Sequence, residues 1–116
     1  ARLDRIFSRP MRVPWVSASS LLLRSRALRD AGGFDERFFL FFEDIDLCLR
    51  LRQLGSEIWY DPTLTVIHER GSSAAVQRAA AASAYRDSHL YFWRKHRGPW
   101  VGGAVRAYAR IRQWLK

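Results

Sequence analysis

The stretch RFFLFFEDIDLCLRLRQLG, residues 37–55, decides how this chain is read, because four phenylalanines and a leucine run straight into the carboxylates Glu43, Asp44 and Asp46. The positions after the acids repeat at helical spacing. Ile45, Cys48, Leu49 and Arg52 share one face, and Leu47, Leu51 and Leu54 line the adjacent stripe, so a helix is predicted from near Phe42 to Gly55. Carboxylates at a helix start are favoured by the free N–H groups and the macrodipole, which accounts for three acids in one turn. The aromatic run needs another explanation. An acid beside apolar walls and away from bulk water is also how a general base is built. Asp44 lies one turn before Leu47 and Cys48, on the side facing the protein, whereas Asp46 points elsewhere around the helix and is expected to partner an arginine.

Working outward, VPWVSASSLLL (13–23) reads as a buried strand, RSRALRDAGG (24–33) as a short helix closed by Gly32 or Gly33, and FDERFFLF (34–41) as a loop. Beyond the central helix, SEIWYDPTLTVIHERGSS (56–73) predicts a strand to Tyr60, a turn at Asp61 and Pro62, and a second β-rich run from Leu64 to His68. From Ser73 an alanine-rich helix is expected to about His96. RGPWVGG (97–103) breaks it, and a basic helix resumes from Ala104 to Lys116. The class is α/β.

A chain of 116 residues fits one compact domain, and 48% hydrophobic residues exclude a disordered polymer. A single cysteine, Cys48, rules out an internal disulfide framework and fits a reducing compartment. There is neither a run of roughly 20 apolar residues for a membrane span nor a signal-peptide core in ARLDRIFSRP. A start without Met suggests a piece of a longer protein.

Residues 15–73, WVSASSLLLRSRALRDAGGFDERFFLFFEDIDLCLRLRQLGSEIWYDPTLTVIHERGSS, resemble the C-terminal half of the catalytic domain of family-two inverting glycosyltransferases of the GT-A fold, rhamnosyltransferase-like members above all. The likeness rests on an ordered set: a W-V-S strand, the GGFDE-x-FF loop, the ED-I-DL-C-x-R helix, a G-x-x-I-x-x-x-P strand, and a histidine followed by G-x-S. It implies an α/β fold comprising the C-terminal portion of a GT-A domain, with residues 1–73 as its acceptor-side half and 74–116 as a basic, aromatic helical extension. The nucleotide-binding half and the DxD-type acids would lie outside this chain.

The same resemblance implies transfer of a sugar from a nucleotide-sugar donor to a glycan or polyprenyl-linked acceptor in polysaccharide or cell-wall assembly. Asp44 takes the place of the general base, and Glu43 would orient acceptor or loop groups. The GGFDERFF loop would border the sugar pocket, with Asp35 and Glu36 on its rim and Phe38 or Phe39 as a wall. Trp15 is either core, the reading its apolar strand favours, or a ring stacked on a sugar. His68 matches the family histidine that joins acids and diphosphate around Mg2+ or Mn2+, and imidazole suits Mn2+ better. Ala18 departs from the glycine common in the family, which limits backbone approach by a ligand near Ser17.

Charge is uneven. Between Arg86 and Lys116 eight Lys or Arg face one acid, Asp87, so this segment carries +7 of the total +9. Interleaved with Trp93, Trp100, Trp114, Tyr91 and Tyr108, it predicts helices lying on an anionic membrane surface, and hence a protein peripheral to the cytoplasmic face. The alternatives are a nucleic-acid-binding module or a membrane-surface module without catalysis. Concentration of the charge in the tail, with acids elsewhere, argues against nucleic acid.

Overall fold

The computed structural model describes residues 6–67 and 78–114. Six elements are defined among them: β1 (Met11–Arg12), α1 (Ser25–Asp30), α2 (Glu43–Gln53), β2 (Trp59–Tyr60), α3 (Arg78–Arg97) and α4 (Pro99–Trp114). The chain divides into two compact units, Ala1–Asp35 with Glu43–Ser73, and Glu36–Phe42 with Ala74–Lys116.

In the first unit, β1 and β2 form an antiparallel pair with Met11 opposite Tyr60 and Arg12 opposite Trp59, extended by the Val13 amide donating to the Ile58 carbonyl at 3.0 Å. Helix α2 supplies the core. Its Leu47, Cys48 and Leu51 are buried with Ile58, and Val13, Val16, Leu21, Leu23, Ala27, Leu28 and Ala31 pack against them. Both helices of this unit end in the same way. After α2 the Gly55 amide donates to the Arg52 carbonyl and the Ser56 amide to the Leu51 carbonyl, each at 3.0 Å, with Gly55 at φ 86°. After α1, Gly32 and Gly33 donate to Arg29 and Leu28 at 2.9 Å. This paired closure satisfies the last carbonyls and needs a left-handed residue, which glycine adopts without steric cost.

Two strand expectations fail. Residues 13–23 are not a strand, and neither are 64–67; His68 lies outside the described residues. Apolar content alone does not make a strand without a ladder partner, and the serines of 17–20 offer a local alternative: Ser17 Oγ accepts from the Ser19 amide at 3.4 Å and from the Ser19 hydroxyl at 3.1 Å. The turn at Asp61 is present. Its carboxyl accepts from the Thr63 hydroxyl at 2.7 Å and the Thr63 amide at 2.9 Å, and these bonds hold it below the usual carboxylate range.

In the second unit α3 and α4 form a helical hairpin. The break is a single residue, Gly98 at φ 84°, and α4 begins at Pro99, five residues earlier than expected. Proline suits a first helical position because its missing N–H would have no partner there. Gly102 and Gly103 do not break α4. A Cβ on Gly102 would stand 3.2 Å from the Arg94 Cβ, so this glycine marks where the two helices approach. Helix α3 also holds the loop 36–42. Ser88 Oγ donates to the Leu40 carbonyl at 2.8 Å, Phe38 is buried beside Tyr91, and the Phe42 ring lies 5.3 Å from both Tyr85 and His89 and 5.6 Å from Phe92.

Candidate functional site

Asp44 sits in the first turn of α2, half-buried, with both carboxylate oxygens engaged by backbone amides. Oδ1 accepts from the Ile45 amide at 2.8 Å and Oδ2 from the Ala18 amide at 3.3 Å. The second bond spans 26 residues and ties the serine-rich segment to the helix start. The Cys48 thiol adds a longer link, donating to the Val16 carbonyl at 3.9 Å. Burial pushes the Cys48 thiol above its ordinary pKa, which the Val16 bond partly offsets, so it is a packed side chain and not a nucleophile. An ionised carboxylate has about four lone-pair directions, so two amide bonds fix Asp44 without exhausting its capacity to accept a proton.

Glu43 precedes it, and its Oε2 is shielded from solvent with no hydrogen-bond donor among the described residues. Buried acceptors are almost always satisfied, so this oxygen is an exception among the described residues. Asp46 has a different task. It is 0% exposed, and its Oδ2 lies 2.8 Å from both Nε and Nη2 of Arg50, whose Nη1 donates to the Ala31 carbonyl. The expected arginine partner is therefore present one turn along α2.

The remaining sequence candidates are dispersed. Asp35 is half-buried in the first unit. Trp15 is 45% exposed, which removes the core reading, and it lines an open groove of about 620 Å³ with Phe7, Ser17, Ser19, Tyr60 and Asp61. Asp44 is not part of that lining. Glu36 and Phe39 belong to the second unit, where Phe39 is 88% exposed and Phe38 is buried. Sequence reasoning missed Ala18, whose amide reaches Asp44 from a distance no local pattern reveals. It also missed Tyr85, Ser88, His89 and Phe92 as the residues holding the aromatic loop, although their spacing along α3 marks one helical face.

No group of three or more His, Cys, Asp or Glu side chains among the described residues could hold a metal ion, and His68 lies outside them. The described residues thus supply no donor set for Mg2+ or Mn2+. Nor is any described helix long and apolar enough to cross a membrane.

Several known proteins have similar sequences. The chain is 35% identical over 100 residues to an N-acetylglucosaminyl-diphospho-decaprenol L-rhamnosyltransferase of Mycobacterium tuberculosis, a match covering 85% of this chain and 33% of the relative. It is 41% identical over 56 residues to the rhamnosyltransferase WbbL of Escherichia coli, covering 48% of the chain and 21% of that protein. It is also 42% identical over 57 residues to a pre-mycofactocin glycosyltransferase of M. tuberculosis, covering 49% of the chain and 12% of the relative. No family model and no solved structure matches. These likenesses place the chain in the glycosyltransferases. Within them it is rhamnosyltransferase-like, and it spans about a third of the length of its mycobacterial rhamnosyltransferase relatives. The 85% coverage means that the likeness runs past Ser73 into the C-terminal helices, further than the motif set alone suggests.

Proposed function

We propose that the protein to which this chain belongs is an inverting glycosyltransferase of the GT-A fold, moving a sugar from a nucleotide-sugar donor to a glycan or polyprenyl-linked acceptor, with Asp44 as general base. The observation that carries this reading is the Asp44 carboxylate, held at the start of α2 by two backbone amides with lone pairs to spare. In the reaction the acceptor O–H hydrogen-bonds to a carboxylate oxygen of Asp44. As the acceptor oxygen bonds to sugar C1, its proton passes to Asp44. The bond from C1 to the nucleotide oxygen breaks on the opposite face, and the nucleotide leaves with the electron pair. One positioned base is sufficient for inversion.

Glu43 Oε2 would accept from a second hydroxyl and set the orientation of the attacking one. Asp35, Glu36, Phe39 and Trp15 are assigned to substrate contact, the last two because exposed rings can stack on a sugar face. The mycobacterial and Escherichia relatives, named as rhamnosyltransferases, support rhamnose as the sugar, and the decaprenol in one name supports a lipid-linked acceptor. Asp44→Asn in the full-length protein tests the base. A rival reading, favoured by the same two amide bonds, makes Asp44 only a tether for residues 16–20, and it requires that variant to turn over normally.

The divalent ion implied by the family resemblance would neutralise charge on the leaving diphosphate, with His68 as this chain's ligand. No step above runs through it. His68→Ala is expected to weaken donor binding in the presence of Mn2+ far more than in its absence, measured by donor titration of the full-length protein. Equal losses with and without Mn2+ would assign His68 a structural role.

A further inference from the structure

The outer face of α4 goes beyond the transfer chemistry and does not depend on Asp44. Gly102 is buried where α4 meets Arg94 of α3, which fixes the direction in which the opposite side of α4 points. At 100° per residue, Trp100, Ala104, Ala107, Tyr108 and Ile111 fall within an arc of about 100° centred away from Gly102. All five are exposed, with Trp100 at 90%, Tyr108 at 62% and Ile111 at 58%. Arg110 stands exposed beside one margin of this stripe, and Arg106 is exposed further round, toward the Gly102 side. Arg94 and Arg97, on the last turns of α3, are exposed in the same hairpin.

We infer that this face of α4 is an interfacial helix that lies flat on an anionic bilayer, its Trp100–Ile111 stripe among the acyl-chain boundary and its arginines on lipid phosphates. The composition is that of such helices: aromatic and aliphatic residues on one face, arginine on the flank, no acid anywhere in α4. Its 16 residues, about 24 Å long, suit lying in the plane of the membrane. Two other occupants fit less well. A second copy docked face to face would bring the Arg110 side chains that border the stripe toward each other with no acid on α4 to receive them. A nucleic acid has no use for the aliphatic centre formed by Ala104, Ala107 and Ile111.

The hairpin also divides the tryptophans by role. Trp93 is half-buried, packs 5.8 Å from Phe92, and donates its indole N–H to His89 Nε2 at 2.8 Å, so it braces α3. Trp100 is the anchor.

The test is flotation of the full 116-residue chain with phosphatidylcholine vesicles containing one-quarter phosphatidylglycerol, and with pure phosphatidylcholine. Anionic vesicles should bind at least tenfold more protein at low salt, and the preference should shrink as salt screens the arginines. The triple variant W100S/Y108S/I111S should lose about tenfold of the anionic-vesicle binding, whereas Leu22→Ser, an equally exposed apolar site in the first unit, should bind as the parent does. Arg106→Gln with Arg110→Gln keeps the stripe and should abolish the anionic preference, so a triple variant that loses helicity by circular dichroism still leaves a decisive arm. Binding unchanged in either set, a loss in Leu22→Ser as large as in the triple variant, preference for RNA over vesicles at matched salt, or a concentration-dependent dimer with no vesicle binding would each overturn the inference. None of these readouts involves turnover, so failure here leaves the transferase reading standing, and the reverse.

Discussion

Turnover by the full-length protein is expected to fall by about 100-fold to 10,000-fold in Asp44→Asn, the range for loss of a positioned acid–base group. The substitution is suited to the site. Asparagine keeps a carbonyl oxygen able to accept from the Ile45 amide, so one of the two tethers survives. The other oxygen becomes an NH2 facing the Ala18 amide, a loss of about 1 kcal/mol in stability that leaves most of the protein folded. Donor affinity should change little because the missing function acts on the acceptor hydroxyl. Single-turnover measurement with saturating donor separates chemistry from binding, and a rate within threefold of the parent would return Asp44 to a purely structural role.

The second large effect is on stability. Asp46→Ala removes the buried partner of Arg50, leaving a mostly buried guanidinium that still donates to Ala31 but has no counter-charge. Breaking such a pair by deleting one member costs about 3–5 kcal/mol. Small domains have about 5–15 kcal/mol in total, so this variant should lose a large share of the first unit's stability. Urea titration reads the loss directly. The double variant Asp46→Leu with Arg50→Met, which removes both charges and keeps the volume, should recover most of it. If Asp46→Ala costs only about 1 kcal/mol or less, the pair behaves as an exposed one and does not organise α2.

The two helices of the first unit were legible in the sequence because their signals are local. Apolar residues recur at three and four positions, acids gather in the first turn of α2, and glycines stand where each helix must close. The arginine partner of Asp46 followed from the same one-turn spacing. Of the strands, the one ending at Tyr60 was legible, but the run 13–23 misled, since an apolar run becomes a strand only when another segment presents a free edge, and that is decided far away in sequence. The start of α4 was misread for a related reason: Gly102–Gly103 looks like a breaker in isolation, whereas Gly102 is small because Arg94 lies against it. Of the candidate site, the place of Asp44 at a helix start was visible, but the Ala18 amide was not, because that bond exists only once the fold has formed. Trp15 reads as core from its neighbours, yet its ring faces a groove.

Phe41 and Phe42 both have positive φ, 69° and 68°, immediately before Glu43. Each such residue costs about 1–3 kcal/mol unless its surroundings hold it, and here the holders are the rings of α3 and the Ser88 bond to Leu40. The peptide entering α2 is therefore a loaded catch: it keeps its shape only while aromatic partners grip it. Glycine at 41 and 42 would relieve the backbone and discard the grip together, so the pair of phenylalanines makes the shape of the 36–42 loop conditional on α3 being folded.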